Sequence, residues 1–103
     1  MESPLVTTAW VLLELANALS ASRSRPHFER VLTGLRAAAN VEIIGPDAAL
    51  FERGCQLYND RSDKEWSLTD CISFTVMRDR DLADALTADH HFAQAGFRPL
   101  LTV

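Results

Sequence analysis

Trp66-Ser67-Leu68-Thr69-Asp70-Cys71-Ile72-Ser73-Phe74 decides how this chain reads. Ser67 and Asp70 have the spacing of a capping box. The serine oxygen and the acid three positions later satisfy amides left free at a helix start. The spacing predicts a helix from there to about Arg80. Downstream, Ala85-Leu86-Thr87 is a short strand-like run, His90 to Ala95 gives a turn or two of helix closed by Gly96, and Pro99 to Val103 reads as a last strand.

The same alternation continues upstream. Leu5-Val6-Thr7 is a strand closed by Thr8, and Ala9 to Ala21 is dominated by helix formers, with Thr7 or Thr8 as the expected cap. Ser22 to Arg25 breaks the pattern. Pro26 suits the first turn of a second helix reaching about Ala39, because a missing amide costs nothing there. Val41 to Ile44 is a strand ended by Gly45-Pro46, Asp47 to Tyr58 a helix, and Asn59 to Glu65 a polar loop. Strands separated by helices require crossover connections, so the expected class is α/β, a parallel sheet flanked by helices on both faces. With 103 residues and 48% hydrophobic content, a single domain is expected.

Charge narrows the function classes. A net charge of -4 and a pI near 5.2 exclude binding of nucleic acid or membranes through bulk positive charge. Nine of the ten basic residues are arginines, whose guanidinium fork suits local phosphate contacts. Cys55 and Cys71 form neither a CxxC pair nor a disulfide framework and read as reduced thiols. No stretch approaches the roughly 20 apolar residues that span a bilayer, so no membrane role is expected.

Ligands of open parallel sheets bind beyond the carboxyl ends of the strands, which directs attention to acids placed there. Glu14 follows the first strand and is the only charge between Leu5 and Ser22. Its helix is apolar around most of its circumference and is expected to be largely buried. A carboxylate there needs a partner, either a metal or a structural amide or arginine. Asp89 follows the third strand by two residues, and as a helix cap it has an equally good structural explanation. Asp70 has the same alternative as the acid of its capping box. If the three acids meet, a divalent cation relieves their repulsion, and an all-oxygen set favours magnesium or manganese over zinc. His90 and His91 are expected at the surface or in packing, since adjacent helical residues point about 100° apart and only one can join a common site. Trp10 and Trp66 read as core or staple residues near helix starts.

The Trp66–Phe74 string, followed by Ala85-Leu86-Thr87-Ala88-Asp89-His90-His91-Phe92 and Gly96-Phe97, resembles the carboxyl-terminal signature of VapC-type PIN domains. Upstream, Thr7-Thr8-Ala9-Trp10-Val11-Leu12-Leu13-Glu14 is similar to that family's second acidic motif. The resemblance implies that Glu14, Asp70 and Asp89 are the second, third and fourth acidic positions, catalytic and metal-binding, with Thr87 as a supporting polar group. It further implies magnesium or manganese as cofactor, RNA as substrate, hydrolysis leaving a 5′-phosphate, an antitoxin partner and a homodimer, while the reduced thiols and the lack of a long apolar run lead to the expectation of a cytoplasmic location. A family member ordinarily opens with a hydrophobic strand that lies mid-sheet and ends in the first acidic residue. Nothing before Leu5 matches it, and Glu2 is no substitute. The expectation is therefore a chain truncated at its amino terminus, with strand edges left uncovered and a start upstream of Met1. The leading function is a toxin-type endoribonuclease. The alternative is an inactive PIN-like module that binds protein or RNA, and an unrelated α/β phosphohydrolase is disfavoured by the order of the motifs.

Overall fold

The computed structural model describes residues 4–101. It divides into two compact units, one ending at Pro46 and the other beginning at Asp47.

In the first unit Leu5–Thr8 is strand β1, Ala9–Ala18 helix α1, Arg25–Ala37 helix α2 and Val41–Ile44 strand β2. β1 and β2 run parallel, with Leu5 opposite Val41 and Thr8 opposite Ile44, and the two helices make the crossover that parallel neighbours need. Thr8, 3% exposed, closes the strand and caps α1, its Oγ1 accepting from the Val11 amide at 3.3 Å. α1 ends at Ala18 rather than Ala21. The Ser20 hydroxyl donates to the Asn17 carbonyl at 2.6 Å and Arg25 Nε donates to the Ser20 carbonyl at 2.8 Å, so side chains take over where the helical ladder stops. The expectation of a largely buried α1 is corrected. Only Leu12 of this helix is buried, and Leu13 is 57% exposed, because a two-stranded sheet covers one narrow stripe of the helix and not its whole apolar circumference.

The second unit contains helix α3 (Ala48–Asp60), helix α4 (Leu68–Asp79), strand β3 (Asp84–Ala85), helix α5 (His90–Gln94) and strand β4 (Arg98–Pro99). Asp47 caps α3 by accepting from the Leu50 amide at 2.9 Å. The helix runs on to Asp60, where a loop was expected, helped by a 2.8 Å bond from Gln56 Nε2 to Asp60 one turn later. Ser67 and Asp70 form both halves of the predicted capping box at the start of α4. β3 covers Asp84–Ala85, not Ala85–Thr87, since the Thr87 amide turns back to the Ala85 carbonyl at 2.9 Å. β4 pairs parallel to it, and Arg98 grips its register partner Asp84 through two 2.8 Å bonds that hold the aspartate carboxyl below its ordinary pKa. Leu100 and Leu101 extend this pairing toward Ala85 and Thr87; Thr102 and Val103 of the expected last strand lie outside the described residues.

The class is α/β with parallel strands, as expected, but the strands pair two by two: β1 with β2, and β3 with β4. Among the described residues each strand therefore has one edge that no other strand covers.

The core of the second unit forms on α4, whose Cys71, Ile72 and Phe74 have no exposed surface. Phe74 meets Trp66 edge-on at 5.0 Å, Phe92 edge-on at 4.8 Å and Phe97 at 5.6 Å between ring centroids. Trp66 is 4% exposed and donates its indole N–H to Gln94 at 3.0 Å, a core residue as its sequence position suggested. Beside this cluster α3 approaches α4 at Gly54, where a Cβ would run into Cγ1 of Ile72.

Two outcomes follow from this packing. Gly54→Ala is expected to destabilise the fold by about 1–3 kcal/mol through overpacking, despite alanine's better helix propensity. Gly34→Ala in α2, with nothing within 4 Å of the added carbon, is expected to stabilise by about 0.5–1 kcal/mol. Denaturant melts of both variants read the difference. Burial, and then the neighbouring Asp70 charge, push the Cys71 thiol above its ordinary pKa. Alkylation of the native chain followed by mass spectrometry should label the half-buried Cys55 well before Cys71.

Candidate metal centre

Two helix caps build this site. Asp70 is the third residue of α4, where its Oδ2 accepts from the Ser67 amide at 3.1 Å while the Ser67 hydroxyl accepts from the Asp70 amide at 3.0 Å. Asp89 caps α5, its Oδ1 accepting from the His91 amide at 2.9 Å. The backbone into that cap is fixed by Thr87, whose Oγ1 accepts from the Asp89 amide at 3.1 Å. Thr87 thus holds the main chain of Asp89, not its carboxylate.

His91 joins the two caps. Its Nδ1 lies 3.2 Å from Asp70 Oδ2 and 3.4 Å from Asp89 Oδ1. Its side chain is 20% exposed, against 16% for Asp70 and 39% for Asp89, so the three form a partly sheltered cluster open to solvent on the Asp89 side. The juxtaposition follows from the core: Phe92, next to His91 on α5, packs against Phe74 of α4, one turn beyond Asp70.

His90 also faces Asp89, with Nδ1 3.8 Å from Oδ1, and its ring centroid lies 4.4 Å from that of His91. The expectation that only one of the two histidines can reach a common site is corrected. Asp89 is a cap whose carboxylate curls over the first turn, and from there imidazoles on both of the first two helical residues approach the same oxygen. The signal was present in the sequence, since assigning Asp89 as the cap puts His90 and His91 at those two positions.

The structure brings Asp70 and Asp89 to one histidine. Glu14 stands on α1, in the first unit, and is exposed there, which corrects the expectation that burial forces a partner upon it. The donor chemistry suits a divalent cation. Every hydrogen bond and ion pair of Asp70 uses Oδ2 and every one of Asp89 uses Oδ1, so among the described residues the second oxygen of each carboxylate is left for another ligand.

The model of the PIN domain family matches residues 1–98, and the chain belongs to that family. Its structure is similar to the crystal structure of Mycobacterium tuberculosis VapC20, described as a sarcin–ricin loop cleaving toxin. The TM-score is 0.75 at 26% sequence identity, over 94% of this chain and 74% of VapC20. Among curated proteins none matches the sequence. Family and fold together define a VapC-type nuclease lineage. No helix among the described residues is long and apolar enough to cross a membrane.

Replacing Ser67 with alanine removes the oxygen that receives the Asp70 amide. The expected result is a loss of about 1 kcal/mol of stability in a denaturant melt, with the helix content of the native state retained.

Proposed function

We propose that this chain is a divalent-metal-dependent endoribonuclease of the VapC toxin type, hydrolysing RNA phosphodiester bonds. The observation that carries the reading is the meeting of Asp70 and Asp89 at His91 in a PIN-domain chain, each carboxylate keeping one oxygen for a cation. Asp70 and Asp89 would hold magnesium or manganese. Glu14 enters as the third acidic ligand on its place in the family's motif alone. When bound, the metal supplies a more acidic water and neutralises charge on the attacked phosphate.

The chain's own groups do the rest. The carboxylates orient the attacking water and accept its proton as its oxygen bonds to phosphorus. The bond from phosphorus to the 3′ oxygen breaks and that oxygen takes a proton from solvent, leaving a 5′-phosphate on one product and a 3′-hydroxyl on the other. No covalent nucleophile is needed. Thr87 keeps Asp89 at its cap, so its contribution is positional. As a toxin of this type the chain would act in the cytoplasm, be held by an antitoxin protein and form a homodimer.

Incubation with labelled structured RNA in the presence of Mg2+ or Mn2+ is expected to give 5′-phosphorylated fragments, and EDTA to abolish them. Asp70→Asn, Asp89→Asn and Glu14→Gln should each lower the rate on the order of 10²-fold or more. Cleavage that persists in EDTA and in Asp70→Asn would sink this function.

A further inference from the structure

The family resemblance points to an all-oxygen centre, yet two imidazoles crowd the acids of this chain. Asp89, His90 and His91 offer ligand atoms that all lie within 4.8 Å of one another, and the same Nδ1 of His91 that faces Asp89 lies 3.2 Å from Asp70 Oδ2. Donors around a first-row divalent ion at about 2.1 Å are separated by roughly 3 Å when adjacent and roughly 4 Å when opposite, so separations of 3.2, 3.4 and 3.8 Å are of the size a shared ion requires. Neither Nδ1 has a protein partner other than the two carboxylates among the described residues, and His90, 75% exposed, gives an ion a path in from solvent.

We infer that His91, assisted by His90, is a metal ligand, and that with Asp70 and Asp89 it forms a mixed nitrogen–oxygen site preferring a transition ion such as Mn2+, Co2+ or Zn2+ to Mg2+. Imidazole nitrogen is a poor ligand for magnesium, which keeps oxygen donors and its own waters. Affinity of nitrogen donors climbs steeply along the first-row series toward cobalt and zinc. The histidines therefore set which ion occupies the site, while the carboxylates alone suffice for magnesium. The inference rests on the proposed metal site but does not require that the site cut RNA.

The experiment is calorimetric titration of the tag-free chain with Mg2+, Mn2+, Co2+ and Zn2+, beside His91→Gln, His90→Gln and Asp70→Asn, with circular dichroism to verify folding. The wild type should bind Co2+ and Zn2+ at least about tenfold more tightly than Mg2+. His91→Gln should remove most of that preference while leaving Mg2+ affinity within about twofold, and the exposed His90→Gln should remove part of it. Asp70→Asn should weaken all four ions. In the wild type, 15N NMR of the imidazoles should show Zn2+ moving the Nδ1 resonance of His91. An unchanged ratio of Co2+ to Mg2+ affinity in both histidine variants, or an unmoved His91 resonance at saturating Zn2+, overturns the assignment. Tight, histidine-dependent Zn2+ binding without RNA cleavage under any metal would uphold it while removing the nuclease function. Metal-dependent cleavage with no histidine effect on ion preference does the reverse.

Discussion

Phe74 has no exposed surface, and its ring is enclosed by Trp66, Phe92 and Phe97 from three different parts of the second unit. Burying aromatic surface of this size is worth a few kcal/mol per side chain, more than any single polar contact in the site. α5 has five residues and could not persist alone, and β3 and β4 are two residues each. These pieces keep their positions because Phe92 and Phe97 are fastened to α4. Asp89 and His91 ride on the same anchor, so the distance between the two acids is a consequence of aromatic packing.

Both acids meet structural obligations while keeping chemical capacity. Asp70 completes a capping box and Asp89 caps a short helix, each through one oxygen. Amides at helix starts carry partial positive charge, so an acceptor oxygen is well placed at both positions. A structural role and a metal-binding role are thus compatible in one carboxylate, because capping occupies only one of its two oxygens. The structural explanation for such a residue holds at both positions, and it leaves room for the metal role proposed above.

Several arginines are engaged in ion pairs at the surface. Arg53 with Asp79, Arg61 with Asp63 and Arg98 with Asp84 are paired through two bonds each. In each pair the guanidinium lowers the carboxyl's pKa, but exposure and salt screening make such pairs minor contributors to stability. Their effect is chiefly to cancel charge locally in a chain whose net charge is -4.

Much of this was legible in the sequence. The order of strands and helices, the capping box at Ser67 and Asp70, the Thr8 cap, the buried Trp66 and the family resemblance all depend on patterns within a few residues, where backbone geometry fixes what can meet. Element ends were less legible. α1 stops early because side chains compete for its last carbonyls, and β3 is short because the Thr87 amide turns back to the Ala85 carbonyl. Only tertiary structure decided the pairing of strands two by two, the exposure of Glu14 and the convergence of Asp70, Asp89 and both histidines. Those depend on which helix packs on which, and the anchoring contact between Phe74 and Phe92 spans a separation that no local periodicity records.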